Sequence, residues 1–305
     1  MELLVYYDFD LSRHNLAIIT MAKDTFFHKK ATLNAQGKSI DLSTPKVMGI
    51  INLTPDSFYA GSRKPAVDAA LQQAEKMLAE GADILDLGAY STRPNADDIS
   101  VQEETDRLLP VVDSLVSQFP DAILSIDTFR SKVAEVAINA GAHIINDISG
   151  GQLDEAMFET VAKLQVPYIL MHMKGNPKTM NQLAVYDDVF AEVYSYFTDK
   201  YAQLKKLGVT DVVLDPGFGF AKKPEHGYVL LNRLEEFQAL QLPLLVGVSR
   251  KRMIYSQLET TAEDALNGTT VLNTIALTKS ASILRVHDVT PAIQAVKLLQ
   301  LLHKQ

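Results

Sequence analysis

The 305-residue sequence contains no cysteine. That excludes disulfides, thiolate-held zinc and cysteine nucleophiles, and it is compatible with a reducing compartment. Histidines number seven, and no pair stands at zinc-binding spacing, which argues against a transition-metal site. No apolar run approaches the roughly 20 residues that a bilayer-spanning helix needs. Residues 1–10 are acidic and aromatic rather than basic then apolar, unlike a secretory signal. The chain therefore reads as soluble and cytoplasmic. Positive charge is in deficit, with 29 Lys and Arg against 37 Asp and Glu. That balance disfavours a nucleic acid or an anionic membrane as partner, but a small anionic substrate in a local cationic pocket fits it. A G-x-x-x-x-G-K-[ST] phosphate loop and a convincing dinucleotide fingerprint are both missing.

What is present is a rhythm. Eight short apolar runs, 47–54, 82–89, 122–128, 143–149, 167–173, 212–218, 243–250 and 282–288, alternate with stretches of helical spacing such as 66–80, 101–118, 132–140 and 192–207. Strands that are apolar throughout are strands buried on both faces. Eight strand–helix units predict an α/β fold, a (β/α)8 TIM barrel. Gly81, Gly141 and Gly208 each follow a helical stretch where a C-cap belongs. The expected division is an N-terminal extension over 1–45, with a small hairpin near 32–42 closing the lower barrel mouth, and a catalytic barrel over 46–305. Met21 offers an alternative start.

In such a barrel chemistry gathers where strands end. The strand ends carry Asn52, Asp127, Asn146, Asp147, Asp215, Ser249, Arg250, Lys251, Arg285 and His287. A carboxylate at the mouth can accept two parallel hydrogen bonds from a guanidine-like heterocycle edge; its alternative use is to cap a helix, for Asp127 more than for Asp215. Asn146 and Asp147 are adjacent, so they point to opposite faces, and Asn146 is the better ligand because an amide both donates and accepts. Arg285 and His287, two apart, can face the mouth together. Arg250 and Arg252 read equally well as solvated charges, and His172, between methionines, reads as packing. Two connections, 55–65 and 90–100, are long enough to act as lids.

The ordered set Gly49-Ile50-Ile51-Asn52-Leu53-Thr54-Pro55-Asp56-Ser57-Phe58, Ser91-Thr92-Arg93-Pro94, Ser125-Ile126-Asp127-Thr128, Asp215-Pro216-Gly217-Phe218-Gly219-Phe220 and Arg285-Val286-His287-Asp288 resembles dihydropteroate synthase, the folate-pathway enzyme family that sulfonamides target. The resemblance covers about residues 46–303. It implies condensation of p-aminobenzoate with 6-hydroxymethyl-7,8-dihydropterin diphosphate, giving 7,8-dihydropteroate and diphosphate by a dissociative substitution. It implies catalytic roles for Asp127, Lys251, Arg285 and His287. The pterin would be bound by Asp127, Asn146, Asp215, Lys251 and Arg285, and the diphosphate by Asn52, Arg285 and His287. Phe58, Thr92, Pro94 and Arg252 would form the p-aminobenzoate pocket. Mg²⁺ would be held by Asn52 and phosphate oxygens, and a homodimer is expected.

The chain departs from the family where Tyr59-Ala60-Gly61 replaces the common Asp-Gly-Gly, where Tyr90 replaces a glutamate before Ser91-Thr92, and where Arg252 replaces a serine after Lys251. Arg252 is expected to pair with the aminobenzoate carboxylate by charge. Two other readings stand beside the synthase: a non-catalytic pterin-binding paralogue and a pterin-dependent methyltransferase domain.

Overall fold

A computed structural model describes residues 30–53, 63–91 and 98–302. A hairpin of β1 (Thr32–Ala35) and β2 (Lys38–Asp41) precedes the repeating units. Its turn is Gln36-Gly37, both at positive φ, with Asn34 Oδ1 accepting the Gly37 N–H at 3.0 Å. The units then follow as β3 (Lys46–Asn52), α1 (Arg63–Ala79), β4 (Ile84–Gly88), α2 (Val101–Gln118), β5 (Ile123–Asp127), α3 (Ser131–Asn139), β6 (Ile144–Asp147) and α4 (Met157–Leu164). After these come β7 (Tyr168–Met171), α5 (Val189–Lys206), β8 (Val212–Asp215), α6 (Pro224–Asn232), β9 (Leu245–Val246), α7 (Arg252–Tyr255), α8 (Leu266–Thr278), β10 (Ile283–Val286) and α9 (Val289–Leu302).

Strands β3 to β10 form one parallel sheet in the order β8-β7-β6-β5-β4-β3-β10-β9. It closes on itself where Leu214 bridges Leu244 and its N–H donates to the Pro243 carbonyl at 2.9 Å. The expected eight-stranded barrel is thus the observed one. β4 is buried at every residue, which is why its run shows no alternation. Inside, Met48, Ile84, Ile144, Ile169, Val213, Leu245 and Ile283 pack with Leu33, Ala35, Ile40 and Leu42 of the hairpin. The hairpin therefore plugs the lower end of the barrel, and everything polar is left to the upper end.

The helices seal the outside. In α2, Leu108, Val111, Val112 and Leu115 make one buried stripe, and Ser100 Oγ accepts the Glu103 N–H at 3.1 Å to start the helix. The expected C-cap glycines after α1, α3 and α5 all have positive φ. The run 243–250 departs from expectation, since only Leu245–Val246 is strand. Beyond it the chain turns at Arg250, whose φ is 55°.

Candidate active site

Pairing register builds the upper mouth. Asn52 lies beside Gly88, Gly88 beside Asp127, and Asp127 beside Asn146. These strand ends, with those of β8, β9 and β10, surround a cavity of about 510 Å³. Its walls include Asn52, Tyr90, Asp127, Asn146, Asp215, Ser249, Arg250, Lys251, Arg285 and His287. The expected strand-end residues are therefore gathered in one place, with the exception of Asp147.

Arg285 is the centre of the cluster. Its Nε donates to Asp86 Oδ2 at 2.6 Å and its Nη2 to Asp127 Oδ2 at 2.6 Å. Burial alone would lower its pKa, but Asp86 and Asp127 more than offset that and keep the guanidinium charged. Asp127 thus accepts from Arg285 instead of capping a helix, and the N-cap position of α3 is Arg130. Burial raises the Asp127 carboxyl to about 7, with Arg285 pulling it back and Asp86 adding to the rise. Asn146 Nδ2 donates to Asp86 Oδ2 at 3.0 Å.

Asp86 was not anticipated. It is fully buried, and its second oxygen, Oδ1, has no hydrogen-bond partner among the described residues. The signal was a single carboxylate inside the apolar run Ile84-Leu85-Asp86-Leu87, where a charge is costly unless something pairs with it.

On the opposite wall, Asp215 Oδ1 accepts the Gly217 N–H at 2.8 Å. Burial raises the Asp215 pKa, with Lys251 opposing. Lys251 Nζ donates to the Phe218 carbonyl and lies 4.8 Å from the centre of the Phe220 ring. Burial lowers its pKa to about 8, while Asp215 pulls the other way. The Pro-Gly-Phe-Gly-Phe loop needs glycine at 217, where φ is 69° and an added Cβ would stand 2.1 Å from the His172 carbonyl oxygen.

His172 is packed as expected, 4.8 Å edge-on to Tyr196, but it also has a partner that the sequence did not reveal. Lys222 Nζ, buried, lies 2.8 Å from His172 Nδ1, and it donates to the carbonyls of His172 and Phe220 at 3.1 and 3.0 Å. This pair pins the back of the same loop.

Asp147 faces away from the cavity. It accepts from Tyr168 Oη at 2.7 Å and from the Ser149 and Gly151 N–H groups at 2.7 and 2.8 Å, which makes it a structural anchor. Arg250 lies at the rim with its guanidinium bidentate on Asp288, at 2.8 and 2.9 Å. Arg252, the first residue of α7, is exposed, outside the cavity wall and without an ion pair among the described residues. Phe58, Thr92 and Pro94, with Ala60 and Arg93, lie outside the described residues. Tyr90 is described: its ring meets Phe129 edge-on at 5.0 Å and lies beneath the Arg130 guanidinium at 5.1 Å. Arg130 also holds Glu104 at 2.8 Å and the Ile99 carbonyl at 2.7 Å, so it braces both shores of the 92–97 connection.

Comparison with known proteins agrees with this geometry. The sequence profile of pterin binding enzymes matches residues 48–287. Dihydropteroate synthase of Escherichia coli K12 is 44% identical over 270 residues, which is 88% of this chain and 95% of that protein. Among solved structures, Yersinia pestis dihydropteroate synthase in a sulfonamide drug complex superimposes with a TM-score of 0.84 at 41% identity, covering 90% of this chain and all of the other. Xanthomonas albilineans dihydropteroate synthase in complex with 7,8-dihydropteroate gives 0.80 at 33% identity, again over 90% of this chain and all of the other. Matched by the family profile over most of its length and similar to these synthases in sequence and backbone over about nine-tenths of it, the chain belongs to the dihydropteroate synthase family of pterin-binding enzymes.

Proposed function

We infer that this chain is a dihydropteroate synthase that joins p-aminobenzoate to 6-hydroxymethyl-7,8-dihydropterin diphosphate in folate biosynthesis. The observation that carries this reading is the Arg285-centred cluster of Asp86, Asp127 and Asn146 facing Asp215 and Lys251 across one cavity. A dihydropterin is a flat ring with a guanidine-like edge of N–H donors. Asp215 accepts from that edge, and Asn146 and Asp127 reach the other ring nitrogens. The unpartnered Oδ1 of Asp86 is a further acceptor that a ring N–H would satisfy. Lys251 faces the ring carbonyl, and Arg285 covers the ring face.

The diphosphate then lies toward the rim. Arg285 has committed Nε and Nη2 to carboxylates, which leaves Nη1 for a phosphate oxygen. His287 and Asn52 stand beside it. The Asn52 amide makes no hydrogen bond among the described residues, and its oxygen is the hard donor that Mg²⁺ takes, alongside substrate phosphates and water. Bound there, Mg²⁺ would neutralise charge on the leaving diphosphate.

The exocyclic carbon–oxygen bond breaks as Arg285 and His287 take up the developing charge on diphosphate. The Asp127 carboxylate, fixed by Arg285, stabilises the cation left on the pterin methylene. The arylamine lone pair of p-aminobenzoate forms the new carbon–nitrogen bond, and one amine proton leaves to solvent. No side chain becomes covalently attached. Phe58, Thr92 and Pro94 are proposed to form the aminobenzoate pocket, with Arg252 pairing with its carboxylate, and binding is ordered with pterin first.

We also propose a catalytic unit over 46–305 carrying the extension 1–45, and a cytoplasmic location. A homodimer is proposed through the outer face of α8 and α9, where Val271 and Leu298 are 50% and 66% exposed; dissociation in Val271→Glu, measured by sedimentation, is the expected result. The function itself is tested by product mass. With both substrates and Mg²⁺ the expected product is 7,8-dihydropteroate, and failure to form it in a protein that still binds pterin would point to the non-catalytic reading.

A further inference from the structure

Ser249 is 3% exposed, just beyond β9, the strand that pairs with β10 and so runs beside the chain leading to His287. Its Oγ lies 3.0 Å from His287 Nδ1, and it also accepts the backbone N–H of His287 at 3.2 Å. Among the described residues this hydroxyl has no other hydrogen-bond partner. The donor count then leaves one arrangement with nothing wasted. The serine oxygen accepts from the histidine backbone, and its own proton points at Nδ1. Were Nδ1 protonated, two N–H groups would converge on one oxygen, and the serine proton would have no protein acceptor among the described residues.

The imidazole is also kept neutral. Desolvation first, and the Arg285 guanidinium second, push the His287 pKa down to about 4. The residue lines the mouth of the cavity and is exposed there. A ring whose Nδ1 accepts from Ser249 carries its proton on Nε2, at the far edge of the ring.

We propose that Ser249 is a positioning residue that holds His287 in the Nε2–H tautomer, presenting a neutral N–H donor to anionic oxygen at the mouth. This rests on the synthase reading for the identity of that oxygen, the diphosphate. Ser249 thereby makes the histidine a pre-aimed hydrogen-bond donor, while the fixed charge at the site comes from Arg285.

The test is ¹⁵N NMR of the free full chain with labelled histidine, the His287 signals being identified by their loss in His287→Gln. The wild-type protein is expected to show a protonated Nε2 and a bare Nδ1 shifted by a hydrogen bond. In Ser249→Ala both nitrogens should move toward averaged positions, and Ser249→Thr should restore them. The same Ala variant is expected to lose about fivefold in kcat, the worth of one ordinary hydrogen bond, with the aminobenzoate KM held. A protonated Nδ1 in the wild-type protein, or unchanged nitrogen shifts in the Ala variant, would overturn the inference. The wild-type spectrum decides alone if the variant does not fold. Because the spectrum needs no turnover, a missing dihydropteroate product would sink the functional reading without touching this result.

Discussion

Asp86→Asn probes the site most sharply because the substitution preserves shape and removes only charge and one acceptor. In the wild-type protein Asp86 Oδ2 takes Arg285 Nε at 2.6 Å and Asn146 Nδ2 at 3.0 Å. Oδ1, buried and without a hydrogen-bond partner among the described residues, is the oxygen proposed to take a pterin ring N–H. An asparagine can keep one of these acceptor positions, but its amide nitrogen must then face either Asn146 Nδ2 and Arg285 or the substrate N–H. Hydrogen bonds to charged groups contribute about 1.5–3 kcal/mol. Losing the substrate bond and part of the hold on Arg285 should therefore cost roughly 2–4 kcal/mol of transition-state stabilisation, or about 30- to 1,000-fold in kcat/KM for pterin diphosphate. Arg285 keeps Asp127, so folding should weaken by only about 1–2 kcal/mol, a fall of roughly 2–8 °C in Tm for a domain of this size. Paired measurements of diphosphate release and thermal unfolding separate the two effects. An Asn variant within about threefold of wild type in kcat/KM would refute the assignment of Asp86 to the pterin site.

Three further outcomes follow from the same geometry. Asp127 must be ionised to serve the cation, and burial holds it near 7; Lys251 must be protonated to reach a ring carbonyl, and burial brings it to about 8. The pH profile of kcat/KM for pterin diphosphate should therefore be a narrow bell, falling below about 7 and above about 8, and a flat profile across that window would contradict both roles. Gly217→Ala and Gly208→Ala share a positive-φ penalty, but only the first places a Cβ 2.1 Å from a carbonyl oxygen, while the second meets nothing within 4 Å. Gly208→Ala should cost about 1–2 kcal/mol and Gly217→Ala distinctly more, so equal losses in denaturant titration would mean that the contact with His172 is not tight. Arg252→Ala should raise the aminobenzoate KM by more than about threefold if its charge meets the carboxylate; a smaller change would assign it to the solvated surface.

Much of this molecule was legible beforehand. Strands buried on both faces announce themselves as apolar runs, and the predicted helix over 101–118 has the bounds observed for α2, because Ser100 caps one end and the Leu108–Leu115 stripe fits one face. Strand-end polar residues were legible for the same reason: register brings them to one rim. The obscure features depend on partners distant in the chain. Arg250 reads as a free cation until Asp288, 38 residues on, captures it. Lys222, next to Lys223 in the chain, drew no attention in the sequence, yet it is buried against His172, 50 residues back. Asp86 was hidden differently, two residues below the end of its strand at Gly88, and its importance emerges only when Arg285 reaches down to it. The short β9 is followed by a turn at Arg250, whose φ is 55° and whose guanidinium is held by the same distant Asp288.

The central claim is that this mouth transfers a pterin methylene to an arylamine, and it is tested most directly by diphosphate release with Mg²⁺, with and without p-aminobenzoate, on a preparation whose pterin binding has been measured. The account predicts release that depends on aminobenzoate and matches dihydropteroate formed, mole for mole. Tight pterin binding with no aminobenzoate-dependent release would contradict it and leave a binding protein in place of a synthase.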